Sequence, residues 1–193
     1  MKKQLLAYLM GQNTSIYLNL ESSSQLLLNI NIQDKKITVF IFLLFSTTIS
    51  AQDKSNIDQA LTQWHEAASE ANFEEYFSLM TEDGVFIGTD PTENWQNKDF
   101  RAFSKPYFDR GKAWNFKTLE RNIYTEENND IAWFDELLAT QMGICRGSGV
   151  LQKTEEGWKI AHYVLSITIP NENVEEATAL KKSFDQKLID SLD

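Results

Sequence analysis

The chain holds a single cysteine, Cys145, in 193 residues. It therefore has no internal disulfide, and its fold must rest on a hydrophobic core in any redox compartment. Three prolines and eight glycines leave no low-complexity linker. Two histidines, His65 and His162, are too few for a histidine-rich metal centre, and no spacing of His, Asp or Glu suggests a mixed one. No Gly-rich phosphate loop, zinc motif or nucleophile-base arrangement occurs, so the sequence calls for no metal and no cofactor.

Positive charge is scarce as well. There are 18 Lys and Arg against 28 Asp and Glu, and beyond residue 51 the balance is 14 against 26. Such a surface repels phosphate backbones and anionic lipid, which excludes nucleic acid and makes membrane surfaces poor partners. What remains is ample core material, 42% hydrophobic and 12% aromatic.

One segment reads as an address rather than as fold. Lys35-Lys36 is followed by a short apolar run, Ile37 to Phe45, and then by Ser46-Thr47-Thr48-Ile49-Ser50-Ala51. A basic pair, an apolar stretch and small residues before a polar start form a secretory signal. The run is well short of the roughly 20 apolar residues that span a bilayer. Residues 35–51 are thus expected to be a signal peptide cut after Ser50 or Ala51, giving a periplasmic or secreted protein not inserted in the membrane. No cysteine near the cut supports a lipid anchor. Residues 1–34 fit no signal and read as an extension upstream of the natural start.

Beyond the signal, Ile57, Leu61, Trp64, Ala68 and Ala71 recur at helical spacing over residues 56–71. Phe73 to Met80 reads as a second short helix, with Gly84 suited to its exit. Val85 to Gly88 reads as a strand, and Lys98 to Phe108 as a third helix interrupted near Pro106. Trp114 to Tyr124, Ile131 to Thr140, Ile144 to Lys153 and Trp158 to Ile169 read as strands separated by turns at 126–129 and 154–157. From about Glu172 to Leu192, Val174, Ala177, Leu180, Phe184 and Leu188 make an amphipathic helix that should cover the sheet or a partner. Helices first and antiparallel strands after is an α+β pattern.

The order Asp83-Gly84, strand, Gly88-Thr89-Asp90, Trp95, then Arg146-Gly147-Ser148-Gly149-Val150-Leu151 and Trp158-Lys159-Ile160 resembles a SnoaL-like domain of the nuclear transport factor 2-like (NTF2-like) superfamily. The resemblance covers roughly residues 55–171, with residues 172–193 as an added helix. It implies a cone: a curved antiparallel β-sheet wrapped around N-terminal helices and enclosing a pocket. That fold hosts isomerases, cyclases, dehydratases and pockets without known chemistry, so it says little about function. Some relatives carry a second histidine two positions beyond the one matching His162. Here that position is Val164, which weakens a histidine-pair mechanism.

Strand parity narrows the candidates. A turn at 154–157 sets Leu151 opposite Ile160 and Gly149 opposite His162, leaving space beside His162. In the preceding hairpin, Arg121, Ile123, Phe134, Glu136 and Leu138 share one face. Trp114, Phe116, Asn122, Tyr124, Trp133, Asp135 and Leu137 share the other. Parity leaves the concave face open; the second set, aromatics with one carboxylate, makes the better pocket wall.

On that wall Asp135 is the candidate general base, and His162 the second candidate acid/base. The bland alternatives are a salt-bridged strand aspartate and a core histidine. Candidate ligand contacts are His65, Trp95, Trp114, Tyr124, Trp133 and Arg146, against plain core or sheet roles for each. Arg121 and Glu136 fit a cross-strand ion pair. These residues support three functional readings: a pocket for a small, largely apolar molecule; an enzyme of the isomerase, cyclase or dehydratase type using Asp135 or His162; and a homodimeric interaction module.

Overall fold

The computed structural model describes residues 35–126 and 130–193, with side-chain detail from residue 52 onward. Residues 1–34 and most of the expected turn at 126–129 lie outside the described residues. Two compact units are present, Met1–Ile49 and Ser50–Asp193, and the second holds the whole sheet. No helix among the described residues is long and apolar enough to cross a membrane.

Helix α1 runs from Lys35 to Ser69, and its apolar stripe of Ile57, Leu61, Trp64 and Ala68 is fully buried. It ends where Ala71 takes a left-handed conformation, φ 55°, a position more often held by glycine. Helix α2, Phe73–Ser78, follows at once, with the Asn72 side chain accepting the Glu75 N–H. Strand β1 is Met80–Ile87 and β2 is Asn94–Gln96; helix α3 is Asn97–Asp109. The four long strands are β3 Lys117–Thr125, β4 Ile131–Thr140, β5 Gly143–Thr154 and β6 Gly157–Ile167. A 3₁₀ turn, Asn171–Asn173, leads into α4, Val174–Leu192.

The strands form one curved, unclosed sheet in the order β2-β1-β6-β5-β4-β3. All neighbours are antiparallel except β1 and β6, which run parallel. The sheet is α+β in class, with the N-terminal helices on its inner side and a C-terminal helix after it. Its inner face contributes Ala132, Phe134, Leu138, Cys145, Leu151, Ile160, Tyr163 and Leu165 to a core completed by α1, Tyr76, Phe77, Phe100 and Phe108.

Four local expectations change. Gly84 does not end a helix: the chain leaves α2 at Leu79, whose carbonyl takes the Ile160 N–H at 2.8 Å, and β1 begins there. Gly84 sits where the β1–β6 register shifts, and a Cβ would meet the Thr81 and Ile160 carbonyls at 3.0 and 3.2 Å. Helix α3 runs through Pro106 unbroken, with Pro106 on its exposed side. The apolar residues of α4 do not cover the sheet: Leu180 is 88% exposed and Phe184 47%.

The fourth change decides the site. The β5–β6 hairpin begins as its turn requires, with Lys153 opposite Trp158 and Leu151 opposite Ile160. Ala161 is then an extra residue, so Gly149 faces Tyr163 and Val150 faces His162. The space left by Gly147 therefore belongs to Tyr163, Gly149 closes against the His162 carbonyl and the Phe134 ring, and the His162 side chain turns to the opposite face.

Candidate functional site

The inner face of β4 alternates Ala132, Phe134, Glu136 and Leu138, all buried. Glu136 breaks an apolar stripe, and it is only 1% exposed. A buried carboxylate needs partners, and three other elements supply them. His65 on α1 brings Nε2 to 2.8 Å from Oε1. Arg121 on β3, opposite Glu136 in register, donates Nε to Oε2 at 3.0 Å. The Tyr163 hydroxyl on β6 donates to Oε1 at 3.3 Å.

Arg121 is itself saturated. Its other nitrogens donate to the Asp58 carbonyl and carboxylate at 3.0 and 2.8 Å, to Thr62 Oγ1 at 3.0 Å and to Thr118 Oγ1 at 3.1 Å. This side chain thus ties α1 to the sheet. The cross-strand Arg121–Glu136 pair expected from the hairpin is present, inside the core.

Burial pushes the Glu136 carboxyl upward, yet the hydrogen bond and charge of His65, with the Arg121 guanidinium, outweigh it and hold the group below the usual glutamate range. An ionised carboxylate only accepts, so the facing His65 Nε2 carries a proton. Tyr163 is pushed well up by burial and then by the Glu136 charge, and stays a donor. Gly147 makes the group fit: a Cβ there would lie 2.4 Å from Tyr163 Oη and 2.9 Å from Glu136 Oε1.

Aromatic rings surround the polar group. Trp64 stacks on Tyr76 at 4.8 Å and meets Tyr163 edge-on at 4.8 Å; Phe86 stacks on Phe100 at 4.1 Å. Trp114 packs on Tyr76, Phe100 and Phe108 at 5.4–5.8 Å, and Phe116 lies 6.0 Å from His65. Trp114 and Phe116 are half-buried, at the rim between this interior and solvent. The indole N–H of Trp64, fully buried, has no hydrogen-bond partner.

The sequence candidates fall into two places. His65, Trp95 and Trp114 belong to the interior or its edge. Asp135, Tyr124, Trp133, Arg146 and His162 all lie on the outer face, where one row runs Tyr124, Trp133, Val150, His162, Val85 across five strands. The set taken as the better pocket wall is thus the outer one, and the set with Glu136 faces α1. Trp114 and Phe116 depart from their set because they precede β3, which begins at Lys117, and so do not follow its alternation.

On the outer face Asp135 accepts from Asn122 at 3.2 Å and Tyr124 at 3.1 Å, with Arg146 at 3.9 Å. Tyr124 and Trp133 stack at 6.0 Å. Trp95, on β2, is the register partner of Phe86 and so shares the inner face, where it packs against the edge of the core and stacks on Phe103 at 4.8 Å. Strands β4 and β6 are separated by β5, and His162 lies two residues off the Asp135 row, so the two stand about 12 Å apart and do not converge on one atom. Among the described residues no three His, Cys, Asp or Glu side chains group as metal ligands. An open cleft of about 390 Å³, lined by Met80, Thr81, Glu82, Gln152 and Lys159 among others, includes none of these candidates.

A curved sheet holding helices against its inner face, with a polar group inside, defines an NTF2-like cone. Solved structures share it. An NTF2-like protein of unknown function from Pseudomonas putida aligns with a TM-score of 0.53 at 14% identity, over 64% of this chain and 92% of that one. A candidate dehydratase of the NTF2-like family from Streptomyces avermitilis gives 0.53 at 17%, over 63% and 99%. A domain of unknown function with a cystatin-like fold from Nostoc punctiforme gives 0.54 at 18%, over 73% and 94%. At these identities the likeness concerns fold alone. No curated protein matches the chain. The SnoaL-like domain matches residues 57–170, more than half the chain, and the chain belongs to that family.

Proposed function

We propose that this SnoaL-like protein binds a small, largely apolar molecule between α1–α3 and the inner face of the sheet, with His65, Glu136 and Tyr163 as the polar end of the site. One observation carries this reading: an ionised carboxylate with an imidazole and a phenol is set in a wall of rings beside an indole N–H that lacks an acceptor. Apolar walls with a few convergent polar groups are the usual make-up of small-molecule sites. The rings already touch one another, so a guest enters by displacing the half-buried Trp114 and Phe116.

Native mass spectrometry of the protein purified without organic solvent tests this. A retained small molecule that is lost in Trp64→Phe or Glu136→Gln supports the reading. No retained mass, together with an unmoved Trp64 indole resonance across a panel of small aromatic and aliphatic compounds, overturns it.

A second reading, self-association through the outer face, has its own observation. Tyr124, Ile131 and Trp133 are 39–43% exposed side by side, at the border of the Asp135–Arg146 pair. Sedimentation velocity decides it: a monomer at high concentration removes this reading. A catalytic version using Asp135 or His162 would have to act from this face, through one residue alone.

A further inference from the structure

Gln52 is exposed and bonds within the helix to Asn56 at 2.9 Å. One residue later, Asp53 is clamped by the far hairpin: its Oδ1 takes Lys153 Nζ at 3.1 Å and Trp158 Nε1 at 3.5 Å, and its Oδ2 takes Lys153 at 3.3 Å. Ile57 and Leu61 then continue the contact as fully buried core. The compact unit that contains all of this starts at Ser50.

We propose that the chain is cut by a signal-type peptidase immediately after Ser50 or Ala51, and that Asp53 is the anchor of the new N-terminus. The small residues Ser50 and Ala51 follow the basic pair and the apolar run of Ile37 to Phe45. A cut there keeps Asp53 with its Lys153 and Trp158 contacts, and Ile57 and Leu61 in the core. It also leaves Asp53 in the first turn of the shortened helix, where a carboxylate complements the exposed N–H groups and the positive end of the dipole. A cut after Asp53 would remove this anchor, and one after Asn56 would leave Ile57 at the chain end. Cleavage precedes folding, since the peptidase needs the segment extended while the folded domain holds it helical.

The full chain with a C-terminal tag, produced in a bacterium with an intact secretion pathway, gives the test by N-terminal sequencing and intact mass of the exported fraction. The expected species begins at Ala51 or Gln52. Replacing both Ser50 and Ala51 by Arg is expected to leave the precursor mass, whereas Asp53→Ala keeps the cut in place and lowers the melting temperature of the product. A start at any other residue, or a chain that stays uncut in the cytosol while a control signal is processed, overturns the proposal.

Discussion

Replacing Glu136 by Gln tests the interior most directly, because the side-chain volume is kept while the charge is removed. Glu136 is 1% exposed, and its two basic partners His65 and Arg121 have side chains only 5% exposed. Without the carboxylate, Arg121 keeps only Asp58, itself 58% exposed, as an ionic partner. Removing one member of a buried pair costs about 3–5 kcal/mol, because the remaining charge is left uncompensated. A domain of this size has roughly 5–15 kcal/mol in all, so the variant folds but weakly. At about 2–4 °C per kcal/mol, the melting temperature falls by roughly 10 °C.

The pH dependence of this contribution has a definite sign. A carboxyl whose folded pKa lies below its unfolded value near 4.5 contributes stability that is complete above that value and lost as pH falls through the folded one. Thermal melts by circular dichroism at pH 7, 5, 4 and 3 are expected to show the wild type converging on Glu136→Gln below about pH 4.5. The double variant Glu136→Gln with Arg121→Met should recover part of the loss, since no unpaired guanidinium remains. If Glu136→Gln melts within 2 °C of wild type at pH 7, the carboxylate is not the charged centre of the core and the reasoning fails.

Glycine substitutions give an ordered pair: Gly147→Ala meets side-chain ends and should cost about 1–3 kcal/mol, measured by urea titration. Gly149→Ala meets the His162 carbonyl at 2.2 Å and must move sheet backbone, so it should cost more; the reverse order would contradict the register. Trp133→Ser, on the outer face, should change stability by less than about 1 kcal/mol while abolishing any self-association seen by sedimentation. Leu180→Lys on α4, at an 88% exposed position, should shift stability by no more than about 0.5 kcal/mol; a larger loss would mean that α4 is covered.

Much of this protein is legible from its residues alone. The 3.6-residue recurrence from Ile57 to Ala68 names the buried face of α1, and the two-residue alternation from Ala132 to Leu138 sorts β4 into two faces without saying which is buried, because each element has a fixed side-chain period. The pairing of Arg121 with Glu136 comes from the same alternation and one turn. The family can be read from short motifs such as Arg146 to Leu151.

Tertiary structure decided which of two equally regular faces turned inward. Parity is symmetric about the sheet, and only packing against α1, through His65, Asp58 and Thr62, breaks that symmetry. It also placed single extra residues at Leu119 and Ala161, each of which moves its neighbours to the other face. No local signal marks these bulges, since they arise where the sheet must bend around its core. Glu136 therefore became the centre of the interior, and Asp135, one residue earlier, a half-exposed side chain on the outer face.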